Sequence, residues 1–269
     1  MKPFSENGFF DAHAHYDDAR FAQSFAGGGA GVLRDLFSQG AICGVCNSAS
    51  DLASARAAKA LADEFEGVVF TAGIHPHEAA AALREGIDDV MEQLGALLSD
   101  EKCVALGEIG LDFHYDFSPR DEQQRLFAMQ MELAEQRDLP VVIHAREAAE
   151  PTLAMLRSHP AVRGVIHSCA FSAESVKELL RLGYFISFSG PVTFKNARGL
   201  LDAVRAVPDD RLLIETDCPY LAPVPMRGKC NHSGYLSYTA AAVAAARETD
   251  CETIRRLSRQ NALCAFSLA

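Results

Sequence analysis

Nowhere does the chain contain a run of about 18 or more uncharged apolar residues, so none of its segments is suited to spanning a bilayer. The first ten residues, with Lys2, Glu6 and Asn7 among them, lack the apolar stretch of a secretory leader. The expectation is a cytoplasmic protein with no membrane partner. Positive charge is also scarce: 25 Lys and Arg stand against 36 Asp and Glu, for a net charge of −11. A protein that coats a long duplex by neutralising many phosphates is normally basic, so that mode is excluded. Any polyanionic substrate must be gripped locally, by metal ions and a few side chains. A second Cys-x-x-C is missing. Cys43 and Cys46 form such a pair inside the apolar run Ala41 to Cys46, so zinc-ribbon spacing is not met and both read as small buried hydrophobes. Eight cysteines in 269 residues without an export signal do not make a disulfide framework. The glycine-rich stretch Gly27 to Gly31 lacks the Gly-Lys-Ser/Thr ending of a phosphate-binding loop and reads as a flexible surface loop.

What is present is an alternation. Short apolar runs at Phe9–His13, Ala41–Cys46, Val68–Ile74, Val104–Ile109, Val141–His144, Val165–His167, Tyr184–Phe188 and Leu212–Glu215 read as strands. Between them, Leu52–Phe65, Asp88–Leu98, Gln123–Arg137, Glu147–Arg157, Ala173–Leu182 and Ala197–Val207 carry apolar residues at three- and four-residue spacing. That is the pattern of amphipathic helices, and Leu236–Arg247 and Glu252–Phe266 close the chain with two more. Ser50, Ser118, Ser172 and Ser237 stand where helix N-caps belong. With mean hydropathy near zero and no linker-like segment, residues 1–269 are expected to form a single α/β domain. Eight strands alternating with helices predict a (β/α)8 TIM barrel; an open doubly wound sheet is the alternative.

The chemistry-bearing residues decide between these. Asp11-Ala12-His13-Ala14-His15, Gly107-Glu108-Ile109-Gly110, Ile143-His144, Ile166-His167 and Glu215-Thr216-Asp217 each end an apolar run. In an open sheet only loops near the switch point converge, whereas a closed barrel brings every strand's C-terminal end to one mouth. A metal site at that face is therefore expected. His13 and His15, two apart on a strand, share a face and can chelate one ion; two buried histidines without a partner would be costly. Glu108, between Gly107 and Gly110, stands where backbone and ligand approach closely and a carboxylate can bridge two cations. His144 and His167 each end a strand of their own. Asp217 can ligate a metal and accept a proton from the attacking water, while Glu215 is better placed to orient ligands. Mixed imidazole and carboxylate donors suit zinc, manganese or iron, and two ions ~3.5–4 Å apart can activate water and stabilise both attacking and leaving oxygens.

At these residues the sequence resembles the TatD family of metal-dependent nucleases, within the amidohydrolase-like barrels. The resemblance runs almost end to end, through Asp11 to His15, Gly73 to His77 (Gly-Ile-His-Pro-His), Gly107 to Phe113, Pro140 to Arg146, Glu215 to Pro223 and Arg227 to Lys229. It implies that His13, His15, Glu108 and Asp217 hold one ion, and Glu108, His144 and His167 a second, with Glu108 bridging. The implied cofactors are two divalent ions per chain, of zinc, manganese or magnesium. Phosphodiester hydrolysis follows, as a 3′–5′ exonuclease acting on DNA ends or single-stranded nucleic acid. Asp217 and Glu108 become the catalytic residues and His75 a contact to the substrate phosphate. The sequence leaves the oligomeric state open, a monomer being compatible with it.

Two stretches depart from the family pattern. His167-Ser168-Cys169-Ala170-Phe171 stands in place of His-Cys-Phe-Ser-Gly, keeping the ligand and changing its loop. After Lys229 the chain reads Cys230-Asn231-His232-Ser233 where the family often has Arg-Asn-Glu-Pro, so one basic residue near the mouth is gone. An amidohydrolase or esterase acting on a small carbonyl substrate is the alternative activity, since similar barrels host both chemistries and the acidic charge favours it mildly. A degenerate barrel kept as a binding protein would have lost a ligand, and all six candidates are present.

Overall fold

The computed structural model describes residues 4–268. Eight parallel strands run in chain order around one sheet: β1 Phe9–Ala14, β2 Ile42–Asn47, β3 Val68–Ala72, β4 Cys103–Asp112, β5 Val141–Arg146, β6 Gly164–Ile166, β7 Phe185–Phe188 and β8 Leu212–Ile214. The edges meet. Asp217 N–H donates to the His13 carbonyl at 3.0 Å and His15 N–H to the Cys218 carbonyl at 2.8 Å, closing the barrel between β8 and β1. The buried Asp11 carboxylate reinforces this seam, accepting from Thr216 N–H at 2.9 Å and from the hydroxyls of Thr216 at 2.5 Å and Ser233 at 2.6 Å. Burial pushes its pKa up to about 7 against those hydrogen bonds.

Helices α1 Ala19–Ser24, α2 Gly28–Ser38, α3 Leu52–Glu64, α4 Ala79–Leu97, α5 Arg120–Arg137, α6 Ala149–Ser158, α7 Ala173–Arg181, α8 Arg198–Ala206, α9 Leu236–Ala246 and α10 Cys251–Ala265 surround the sheet. Each strand places alternate residues on opposite faces, and the two faces have separate cores. Phe70, Ile143, Ile166, Ile186 and Ile214 pack outward with the helices. Phe10, Val69, Val142, Val165, Phe185 and Leu213 fill the interior, sealed below by Phe4 and Phe266. Two residues further along three of these strands the period of two sets His144, His167 and Glu215 directly above that apolar floor. Cys43 and Cys46 belong to it as buried thiols, as read from the sequence.

Other expectations need correction. Gly27 to Gly31 is not a loop but the start of α2, with Gly27 at its N-cap. A Cβ on Gly29 would lie 1.9 Å from the Tyr16 carbonyl oxygen, so glycine there permits close helix packing rather than flexibility. α4 begins at Ala79, nine residues before the expected Asp88, and breaks at Gly86 (φ 102°). Of the four serines assigned as caps only Ser172 caps a helix. Asp51 caps α3 in place of Ser50, Pro119 precedes α5, and Ser237 lies inside α9. Ser118 instead joins the loop ahead to α4, accepting from Ala80 N–H at 3.0 Å and donating to the His77 carbonyl at 2.7 Å.

Candidate metal centre

All six ligand candidates meet at the C-terminal mouth of the barrel. Nε2 of His13 and Nε2 of His15 stand 3.1 Å apart. Glu108 Oε2 lies 3.3 Å from the first and 3.6 Å from the second. Asp217 Oδ1 lies 3.8 and 3.3 Å from the same two nitrogens. On the other side, Glu108 Oε1 lies 2.8 Å from His144 Nδ1 and 3.0 Å from His167 Nε2, and those nitrogens are 3.3 Å apart. Donors around one ion at ~2.0–2.3 Å sit roughly 3–4 Å from one another, so both clusters have the spacing a divalent cation requires. One carboxylate spans them, giving a different oxygen to each.

The outward nitrogens explain why the inward ones are free to bind. His15 Nδ1 faces the Ser48 carbonyl at 2.8 Å, so it carries the proton and leaves the Nε2 lone pair directed inward. His167 Nδ1 meets Glu215 Oε1 at 2.9 Å, and His144 Nε2 meets Asp112 Oδ2 at 3.2 Å, with the same result. His13 Nδ1 meets the Ser48 hydroxyl at 3.0 Å. Outer acceptors of this kind orient ligating imidazoles and raise their basicity. The donor set therefore fits divalent metal. Glu215 has the orienting place expected of it; its strand ends at Ile214, and Asp217 reaches the site from a left-handed turn (φ 55°).

The charges fit as well. Burial would raise the Glu108 carboxyl, but its contacts with the surrounding imidazoles, His167 first, hold it well below the ordinary range. Asp217 is likewise lowered, burial being outweighed by its contacts with the His15, His167 and His13 imidazoles. Both stay anionic, as carboxylate ligands of a divalent ion must.

His75 differs from the four histidines above. Its Nε2 lies 3.5 Å from Glu108 Oε1, but its Nδ1 accepts the backbone N–H of His77 at 3.2 Å. The ring proton is thereby placed on Nε2, making His75 a donor beside the centre rather than a ligand within it. Burial brings its pKa down to about 4, so it is a neutral donor. The centre opens into a cleft of about 810 Å³, lined by His15, His75, Glu108, Asp217, Arg146 and Tyr220 among others.

Ser48, Asp112 and His77 were missed in the sequence. Ser48 directly follows β2, whose end carries no imidazole or carboxylate, and only its neighbours in space give it a task. Asp112 joins His144 to His77, whose Nε2 is 2.9 Å from the same Oδ2. A carboxylate four residues after Glu108 was the available signal. In the departing loops, Ser168 donates its N–H to Glu215 at 2.8 Å and lines the cleft with Cys169 and Ala170, while buried Asn231 clamps the Thr216 and Tyr220 carbonyls at 2.9 and 2.7 Å.

A closed eight-stranded barrel with clustered imidazoles and carboxylates at its C-terminal mouth defines the class of metal-dependent barrel hydrolases. The sequence profile of the family described as TatD related DNase matches residues 10–267, and the chain belongs to that family. It is 39% identical over 208 residues to the metal-dependent hydrolase YabD of Bacillus subtilis, covering 77% of this chain and 80% of that one. It is 32% identical over 233 residues to the 3′-5′ ssDNA/RNA exonuclease TatD of Klebsiella pneumoniae, covering 84% and 87%. The crystal structure of YjjV, a TatD homologue from Escherichia coli K12, matches with TM-score 0.86 at 25% identity, covering 98% of this chain and 100% of that one. The chain is thus a TatD-type metal-dependent hydrolase.

Proposed function

We propose that the chain is a two-metal phosphodiesterase that removes nucleotides from the 3′ ends of single-stranded DNA. The observation that carries this reading is Glu108, whose two oxygens enter two separate donor clusters. A bridging carboxylate of this kind suits a pair of divalent ions, which when bound supply charge neutralisation for a phosphodiester and lower the pKa of the attacking water. His13, His15, Glu108 and Asp217 would hold one ion, and Glu108, His144 and His167 the other. Asp217, held anionic at the edge of the cleft, accepts the proton of the attacking water. His75, a neutral donor through Nε2–H, would bond a non-bridging phosphate oxygen. A nucleic-acid substrate agrees with the name of the Klebsiella relative, and a local grip at a strand end suits a chain of net charge −11.

The test is a 5′-labelled single-stranded oligodeoxynucleotide incubated with the metal-free protein and zinc, manganese or magnesium in turn. Stepwise shortening from the 3′ end is expected. No shortening with any metal, together with turnover of amide or lactone substrates, would establish the carbonyl hydrolase instead. Asp217→Asn keeps the shape of the side chain and removes the proton acceptor. Turnover should fall at least ~10²-fold, and excess metal should not restore it. Full rescue by manganese would make Asp217 a ligand only.

A further inference from the structure

Of the five large apolar side chains exposed among the described residues, three line the cleft: Tyr115, Phe117 and Tyr220. Tyr115 and Phe117 belong to the loop that follows β4, and their rings stack at 5.4 Å with 20° between planes. The Arg146 guanidinium lies over the Tyr115 ring, 4.6 Å from its centroid. Phe117 is 68% exposed and stands edge-on to His77 at 4.7 Å. A hydrophobic pair this open has no packing role that would account for it; it is a flat aromatic surface held at the lip of a hydrolytic site.

The loop is fastened to the metal centre by one carboxylate. Asp112 Oδ1 accepts the backbone N–H groups of His114 and Tyr115 at 3.0 and 2.9 Å, while Oδ2 takes His144 and His77. Gln123 clamps the base of the loop through the Asp112 and Ser118 carbonyls at 3.1 and 2.8 Å. The rings are therefore set in a fixed place relative to His144. Across the cleft, Arg20 covers the Tyr220 ring at 4.3 Å, so the opposite lip carries a second arginine–tyrosine pair.

Resting on the phosphodiesterase reading above, we infer that Tyr115 and Phe117 form a stacking platform for one unpaired nucleobase beside the scissile phosphate. Every base has a π-face, so such a platform accepts any sequence while demanding that the base be out of a duplex. Affinity here comes from stacking rather than from many phosphate contacts, which agrees with the acidic chain. Arg146, over the Tyr115 ring, would contribute a cation beside the platform for the phosphate backbone.

The test compares two single-stranded oligodeoxynucleotides that differ only in the terminal 3′ nucleotide, one carrying its base and one abasic. The wild-type protein should prefer the base-bearing end in kcat/KM by about tenfold or more, chiefly through KM. Phe117→Ala should bring that ratio close to one, and Phe117→Trp should keep it. Phe117 is exposed, so neither variant threatens the fold. If both ends are cleaved equally by the wild type, or if Phe117→Ala leaves the preference intact, the platform is overturned while the phosphodiesterase reading stands. If no phosphodiester is cleaved with any of the three metals, that reading falls and the platform falls with it.

Discussion

Glu108 concentrates the chemistry of this protein in one side chain. Its oxygens face two donor clusters, so on the proposed two-metal reading Glu108→Gln would replace a bridging anion with a neutral amide and leave the repulsion between two cations less compensated. The variant should bind at least one ion more weakly; isothermal titration with zinc on the metal-free protein reads this directly, and unchanged two-ion binding would remove Glu108 as a bridge. Glu215 tests the outer layer of support. It accepts the His167 Nδ1 proton while fully buried. Glu215→Gln should lower metal affinity about 10–100-fold with the fold intact by circular dichroism. Equal affinity in wild type and variant would show that the backbone alone orients His167.

Elements decide where those residues stand. His144 and His167 are presented as they are because a strand alternates faces, and Val142 and Val165 two residues earlier commit the parity. Parity of this kind is local, which is why all eight strands were legible from apolar runs. Helix starts were less so. Gly27 to Gly31 looks like a loop by composition, yet α2 begins there because its first turn presses on the Tyr16 carbonyl. That contact is between segments and leaves no periodic trace. Gly29→Ala should destabilise the protein by about 1–3 kcal/mol, measured as a shift in the urea midpoint at constant slope. A midpoint equal to wild type would mean that α2 moves away freely.

At the scale of the whole molecule, the clustered donors come from β1, β4 and β5 and from the segments just after β1, β6 and β8, so ions bound among them would tie the barrel's mouth together. Removing metal should lower the thermal midpoint, since each site filled at 100 times its dissociation constant adds about 2.7 kcal/mol to the folded state. Calorimetry with and without a chelator measures the difference, which should shrink in Glu108→Gln; a midpoint indifferent to chelation would oppose metal binding in the folded chain. The sequence by itself determined the alternation of strands and helices, the parity of each strand, and the chemical type of the residue at each strand's end. These depend on neighbours two to four positions away. Tertiary structure alone decided that the Asp11 carboxylate seals the β1–β8 seam, that Ser48 and Asp112 select the histidine tautomers, and that Asp112 also fastens the aromatic lip. Those tasks rest on hydrogen bonds between segments far apart in the chain, whose partners are brought together only when the barrel closes.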